Sequence, residues 1–205
     1  MLGDRSPLGR RTRAGLQALT MAMVVLFVAA CSSAVSHLVL PGGGGIGYGI
    51  FDAKANQPYT IAGLAICLDR PGSAKILRVT PVNPVGGLRI DAFVATPDPF
   101  ELGQSVGSTW KQGTLHQVAG HGENINFAHA TTTVTHTCPP VNERPNPDST
   151  PRRITLFLQY SKPTDAHASS DATAIEYVSG GKKFILVVQY GVTLCAAVDQ
   201  AAACS

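Results

Sequence analysis

Charge and aromatic rings are both scarce in this chain. Charged residues make up 14% and aromatics 6%, with a single tryptophan, Trp110. Tyr48, Tyr59 and Phe100 lie far apart, so no aromatic ligand platform is read from them. The 16 Lys and Arg against 13 Asp and Glu hint at a basic protein. Residues 1–30 hold Arg5, Arg10, Arg11, Arg13 and Asp4; removing them leaves 12 charges of each sign from Cys31 onward. A neutral remainder lacks the footprint of nucleic-acid binding. The pairs Arg152-Arg153 and Lys182-Lys183 read as solvated edges or turns that discourage sheet-edge pairing. Methionine is missing after Met23, which excludes a soft thioether site for copper. There is no CxxC pair, and the last four cysteines are spaced by 71, 57 and 9 residues, which argues against zinc. No segment after residue 30 offers the roughly 20 apolar residues of a membrane span.

What is present begins with the leader. Arg10, Arg11 and Arg13 form a positive stretch, Ala14 to Ala30 carry no charge, and the apolar core lies at Met21–Ala30. This run is short for a membrane span and reads as an export signal. Arg10-Arg11 matches a twin-arginine signal only weakly and reads as part of an ordinary positive region. The run ends in Val28-Ala29-Ala30-Cys31, followed by Ser32-Ser33. These residues resemble the lipobox of bacterial lipoproteins. The resemblance covers residues 1–33. It implies a signal peptide over 1–30, cleavage before Cys31 and a diacylglyceryl group on the Cys31 sulfur. It also implies a lipid-anchored protein at the extracytoplasmic face of a cell membrane. The neutral, Ala/Gly/Pro/Val-rich chain is similar in composition to cell-envelope lipoproteins of high-GC bacteria, a likeness that carries no activity with it.

With Cys31 lipidated, Cys67, Cys138, Cys195 and Cys204 remain, an even number that suggests two disulfides. Cys67 and Cys195 both lie in apolar strand-like segments, so the expected pairing is Cys67–Cys195, leaving Cys138 for Cys204. The rival pairing is Cys67–Cys138 with Cys195–Cys204.

Residues 31–46 read as a flexible tether, with Pro41-Gly42-Gly43-Gly44-Gly45 at its end. Gly42 to Gly47 match GxGxxG, but the motif needs a strand before it and a helix after it; here it reads as spacer. Residues 47–205 read as one domain. From Cys31 onward there are 15 Val, 10 Ile and 15 Thr against 4 Glu and 6 Lys, a composition suited to pleated sheets. Alternation puts Leu88, Ile90, Ala92 and Val94 on one strand face, and Ile154, Leu156, Leu158 and Tyr160 on another. Further strands are expected at Tyr48–Phe51, Leu64–Leu68, Ala74–Thr80, Leu115–Val118 and Thr131–Thr137. Gly180-Gly181 predicts a two-residue hairpin pairing Ser179 with Lys182, Tyr177 with Phe184, Ile175 with Leu186 and Thr173 with Val188. Ile185 and Val187 are apolar on the opposite face, which predicts a strand covered on both sides. Pro139 to Pro151 and Thr96 to Glu101 read as loop and turn. The expected fold is all-β: an antiparallel β-sandwich of immunoglobulin-like type with disulfides.

Two constellations suggest chemistry. Gly103-Gln104-Ser105-Val106-Gly107 matches GxSxG, but a nucleophile elbow needs a buried strand before it and a helix after it. The surrounding Pro, Gly and Ser make it a loop. His116, His121, His129 and His136 fall within 21 residues beside Glu123, and imidazole is the commonest metal ligand. Their spacing fits no familiar site. The reading is therefore a lipid-anchored extracytoplasmic binding or structural module. Its partners are the membrane and either an envelope protein or a small ligand; no cofactor and no catalytic residue is assigned. The alternative is an extracytoplasmic metal-binding protein using the histidine cluster.

Overall fold

The structure is a computed structural model that describes residues 35–41, 46–97, 110–120, 131–139 and 154–196. Val35–Ser205 is one compact unit. Its strands are β1 (Leu38–Val39), β2 (Ile46–Ile50), β3 (Tyr59–Leu68), β4 (Ala74–Val82), β5 (Arg89–Pro97) and β6 (Trp110–Gln112). After a helical turn, α1 (Leu115–Gly120), follow β7 (Thr133–Val134), β8 (Ile154–Ser161), β9 (Ala168–Ser170), β10 (Ala172–Ser179), β11 (Lys182–Val188) and β12 (Tyr190–Leu194). The all-β class read from composition is the observed one. Among the described residues α1 is the one α-helix, and no helix is long and apolar enough to cross a membrane.

Three hydrogen-bonded groups share one core. In the first the order is β1-β3-β8-β5, with β6 also on β3; in the second it is β11-β10-β4-β7; both are antiparallel throughout. The third, β2-β12-β9, contains a parallel pair, β2 with β12. Ile61, Leu64, Ile66, Leu158, Ile76, Ile175 and Val192 meet in a single buried cluster drawn from all three groups. Complete burial of such a side chain is worth about 1.5–3 kcal/mol, so this shared core is what holds the layers together.

Bulges decide which residues reach that core. On β3 the register shifts between Ala62 and Leu64, so odd-numbered Tyr59 and Ile61 and even-numbered Leu64, Ile66 and Leu68 all join it. On β5 a shift between Ile90 and Ala92 divides the expected apolar face. Ile90, Phe93 and Ala95 belong to the main core, while Ala92 and Val94 pack on the opposite side with Phe157 and Leu115. One extra residue flips every later side chain of a strand, and this is why strict alternation from Leu88 to Val94 fails. On β8, which has no such shift, Ile154, Leu156, Leu158 and Tyr160 share the main core as expected.

Three other expectations are corrected. Leu115–Val118 is helical, not a strand. Thr114 caps it: the Gln117 N–H donates to Thr114 Oγ1 (3.3 Å) and the Thr114 N–H to Gln117 Oε1 (2.8 Å), a reciprocal capping box. The tether is shorter than 31–46, because Leu38 is only 2% exposed and β1 pairs with β3. The hairpin has the expected register from Thr173–Val188 to Ser179–Lys182, yet β11 ends its sheet and leaves Ile185 and Val187 65% and 53% exposed. Its turn works because Gly180 (φ 54°) and Gly181 (φ 76°) both take the left-handed region that such a tight turn demands.

Candidate functional site

The cysteines connect differently from the expected pairing. Cys67 is bonded to Cys138, with Cα atoms 5.0 Å apart. The backbone brings them together: the Leu68 N–H donates to the His136 carbonyl (2.8 Å) and the Cys138 N–H to the Leu68 carbonyl (2.9 Å). The segment after β7 thereby runs beside the end of β3. Cys195, just after β12, is itself disulfide-bonded. The expected Cys67–Cys195 bridge is overturned: the segment after β7 lies beside β3 and brings Cys138 to Cys67. Cys31 and Cys204 lie outside the described residues.

The histidines of the sequence cluster are not gathered by what is described. His116 is exposed on α1, and His136 follows β7 with its Nδ1 buried and unpartnered. His121, His129 and Ser105 lie outside the described residues, as do Gly42 to Gly45. Among the described residues no three of His, Cys, Asp and Glu come together as metal ligands could.

A different cluster stands where residues 35–39 join the domain. Two elements grip this strap. The turn between β3 and β4 holds one side: the His37 N–H donates to Asp69 Oδ1 (2.7 Å), the Asp69 N–H returns a bond to the His37 carbonyl (2.9 Å), and Ser36 Oγ donates to the Pro71 carbonyl (3.3 Å). Arg70 Nη2 lies 3.2 Å from Asp69 Oδ2. The His37 amide first, and Arg70 after it, hold the Asp69 carboxyl below the usual aspartate range.

The β10–β11 hairpin holds the other side. The His37 ring meets Phe184 edge-on with centroids 4.8 Å apart, and its Nδ1 lies 3.3 Å from the Tyr177 hydroxyl. Tyr177 stacks on Phe184 at 5.5 Å, and burial raises its hydroxyl above the usual phenol range. Val35 rests against the turn itself: a Cβ at Gly180 would sit 3.1 Å from Val35 Cγ2. The strap is thus fastened by polar bonds on one side and aromatic contact on the other. Its chemistry is that of attachment, fixing the point at which the preceding chain leaves the domain.

Sequence reasoning also missed Lys162, which follows β8 and is fully buried. Its Nζ donates to the carbonyls of Ala166 (2.9 Å), Asp165 (3.2 Å), Leu194 (3.3 Å) and Cys195 (3.4 Å). The ammonium ties the loop after β8 to the end of β12. Nothing in Ser161-Lys162-Pro163 marks that lysine as internal, since its acceptors are main-chain carbonyls, two nearby in the loop and two more than 30 residues away.

No protein-family model and no curated protein matches this chain.

Proposed function

We propose that this protein is a lipid-anchored extracytoplasmic module: one all-β domain held at a membrane surface through an acylated Cys31, where it binds an envelope protein or small ligand. The observation that carries this reading is the division among its cysteines. Cys31 closes an apolar leader with Val28-Ala29-Ala30 before it, whereas Cys67 and Cys138 are bonded to each other. Disulfides of this kind persist in oxidising compartments beyond the cytoplasmic membrane, so the fold and the leader agree. Two or more acyl chains on one cysteine anchor stably where a single chain holds marginally.

The test is metabolic labelling with a fatty-acid analogue, followed by fractionation, on the wild type and on Cys31→Ala. The reading expects label and membrane retention in the wild type and no label on the variant. An unlabelled wild type whose membrane retention does not change with the substitution would refute it.

A further inference from the structure

The outer face of the sheet β11-β10-β4 is cationic at one end and aliphatic behind it. Nearest the hairpin turn, Lys75 and Lys183 both pair with Val178 on this face, while Lys182, paired with Ser179, leaves the turn on the opposite face. In the next row Glu176 faces Ile185 on one side and Arg78 on the other, with Leu77 in the adjoining bulge. Lys75, Leu77, Arg78, Lys182, Lys183, Ile185 and Val187 are all exposed. Among the described residues none of these four cations forms an ion pair, and Glu176 is the one carboxylate on these three strands. A chain that is neutral from Cys31 onward has therefore concentrated positive charge at one end of this sheet.

That end is also where the strap enters. Val35 packs against Gly180 of the same turn, and only Ser32, Ser33 and Ala34 separate it from Cys31, about 14 Å of chain at full extension. We infer that the turn end of this face rests on an anionic phospholipid surface, with Lys75 and Lys183 among the headgroups, Lys182 at the rim of the turn, and Ile185 and Leu77 behind them. The orientation rests on the lipid-anchor reading; the charge and its placement do not. A lysine near an anionic leaflet contributes on the order of a fivefold gain in binding, and the gain fades beyond a Debye length of about 8 Å. A tether this short lets the lysines at the turn settle within that range.

The test uses the compact unit, residues 35–205, whose described core is complete from Leu38 to Ala196 without the leader. Its sedimentation is followed with vesicles of phosphatidylcholine alone and of phosphatidylcholine with phosphatidylglycerol. Binding to the anionic vesicles only, abolished by high salt, is expected. The triple change Lys75→Gln, Lys182→Gln and Lys183→Gln should weaken it on the order of a hundredfold, while the three Lys→Arg changes should preserve it. The Arg variant also shows whether altered side chains at these sites still fold. Absence of salt-sensitive binding, equal binding to both vesicles, or a Gln variant that folds and binds like the parent would overturn the proposal. So would a unit that ignores vesicles but sediments as a dimer, which would assign the face to a second copy. Because residues 35–205 lack Cys31, this outcome is independent of the labelling experiment: either result can fail while the other stands.

Discussion

Cys67 and Cys138 are covalently joined across 71 residues of sequence, and main-chain bonds from Leu68 to His136 and Cys138 set the two side by side. A link that closes a loop of this length restricts the unfolded chain by about 4 kcal/mol in the chain-entropy account. That is a large share of the roughly 5–15 kcal/mol by which domains are stable. The double variant Cys67→Ala and Cys138→Ala, with the Cys195 bridge intact, should lose about that amount in urea unfolding. An unchanged midpoint would show that the bridge is incidental to stability.

Gly86 offers a sharper steric test. It sits at φ +64°, and a Cβ there would fall 2.1 Å from the His167 carbonyl oxygen and 2.9 Å from Ala168 Cα. Both obstacles are main chain, so relief requires moving the strand that Val85 bridges at Ser169. Gly181, at φ +76° with nothing within 4 Å of its Cβ, carries only the backbone penalty. Gly86→Ala should therefore cost roughly 2–4 kcal/mol and Gly181→Ala about 1 kcal/mol. Paired thermal melts of the two variants decide it, and equal losses would contradict the contact argument.

The parts legible in the sequence were those governed by neighbours in the chain. The hairpin register follows from Gly180-Gly181 and alternation on both sides, and β8 follows from an unbroken period of two. The misreadings have local causes too. Asp91 is one extra residue in an apparently regular strand, and Thr114-x-x-Gln117 is a capping box that outweighs the strand-like run after it. That signal was available from the residues alone.

The candidate site was far less legible. His37, Asp69, Tyr177 and Phe184 come from the residue before β1, the turn after β3, and both strands of a hairpin, with His37 and Tyr177 140 residues apart. No spacing rule connects them. Glycine-rich sequence before residue 46 favours a tether, yet the burial of Leu38 and the two hydrogen bonds between His37 and Asp69, one to the carboxylate and one main chain to main chain, hold residues 35–39 in the fold. Disulfide choice fails for the same reason: apolar surroundings say that Cys67 and Cys195 are internal, and only the tertiary pairing of the segment after β7 with β3 brings Cys138 to Cys67.

Asp69 gives the strap a dependence on pH whose sign can be worked out. The carboxylate accepts the His37 N–H at 2.7 Å and faces Arg70, so its folded-state value lies below the unfolded value of about 3.9. A depressed carboxyl stabilises the folded state fully above the unfolded value and loses that contribution as pH falls through the folded one. Asp69→Asn keeps an acceptor oxygen but removes the charge. It should cost about 1 kcal/mol at neutral pH, and the difference from wild type should shrink below pH 3.9 and vanish in stronger acid. His37, Arg70 and Tyr177 are present in both proteins, so their direct titration largely cancels in the comparison. The measurement is urea unfolding of both proteins from pH 7 to pH 2, with proteolysis near residue 35 reporting on the strap. A stability difference that stays constant across that range would mean that Asp69 acts through its shape alone.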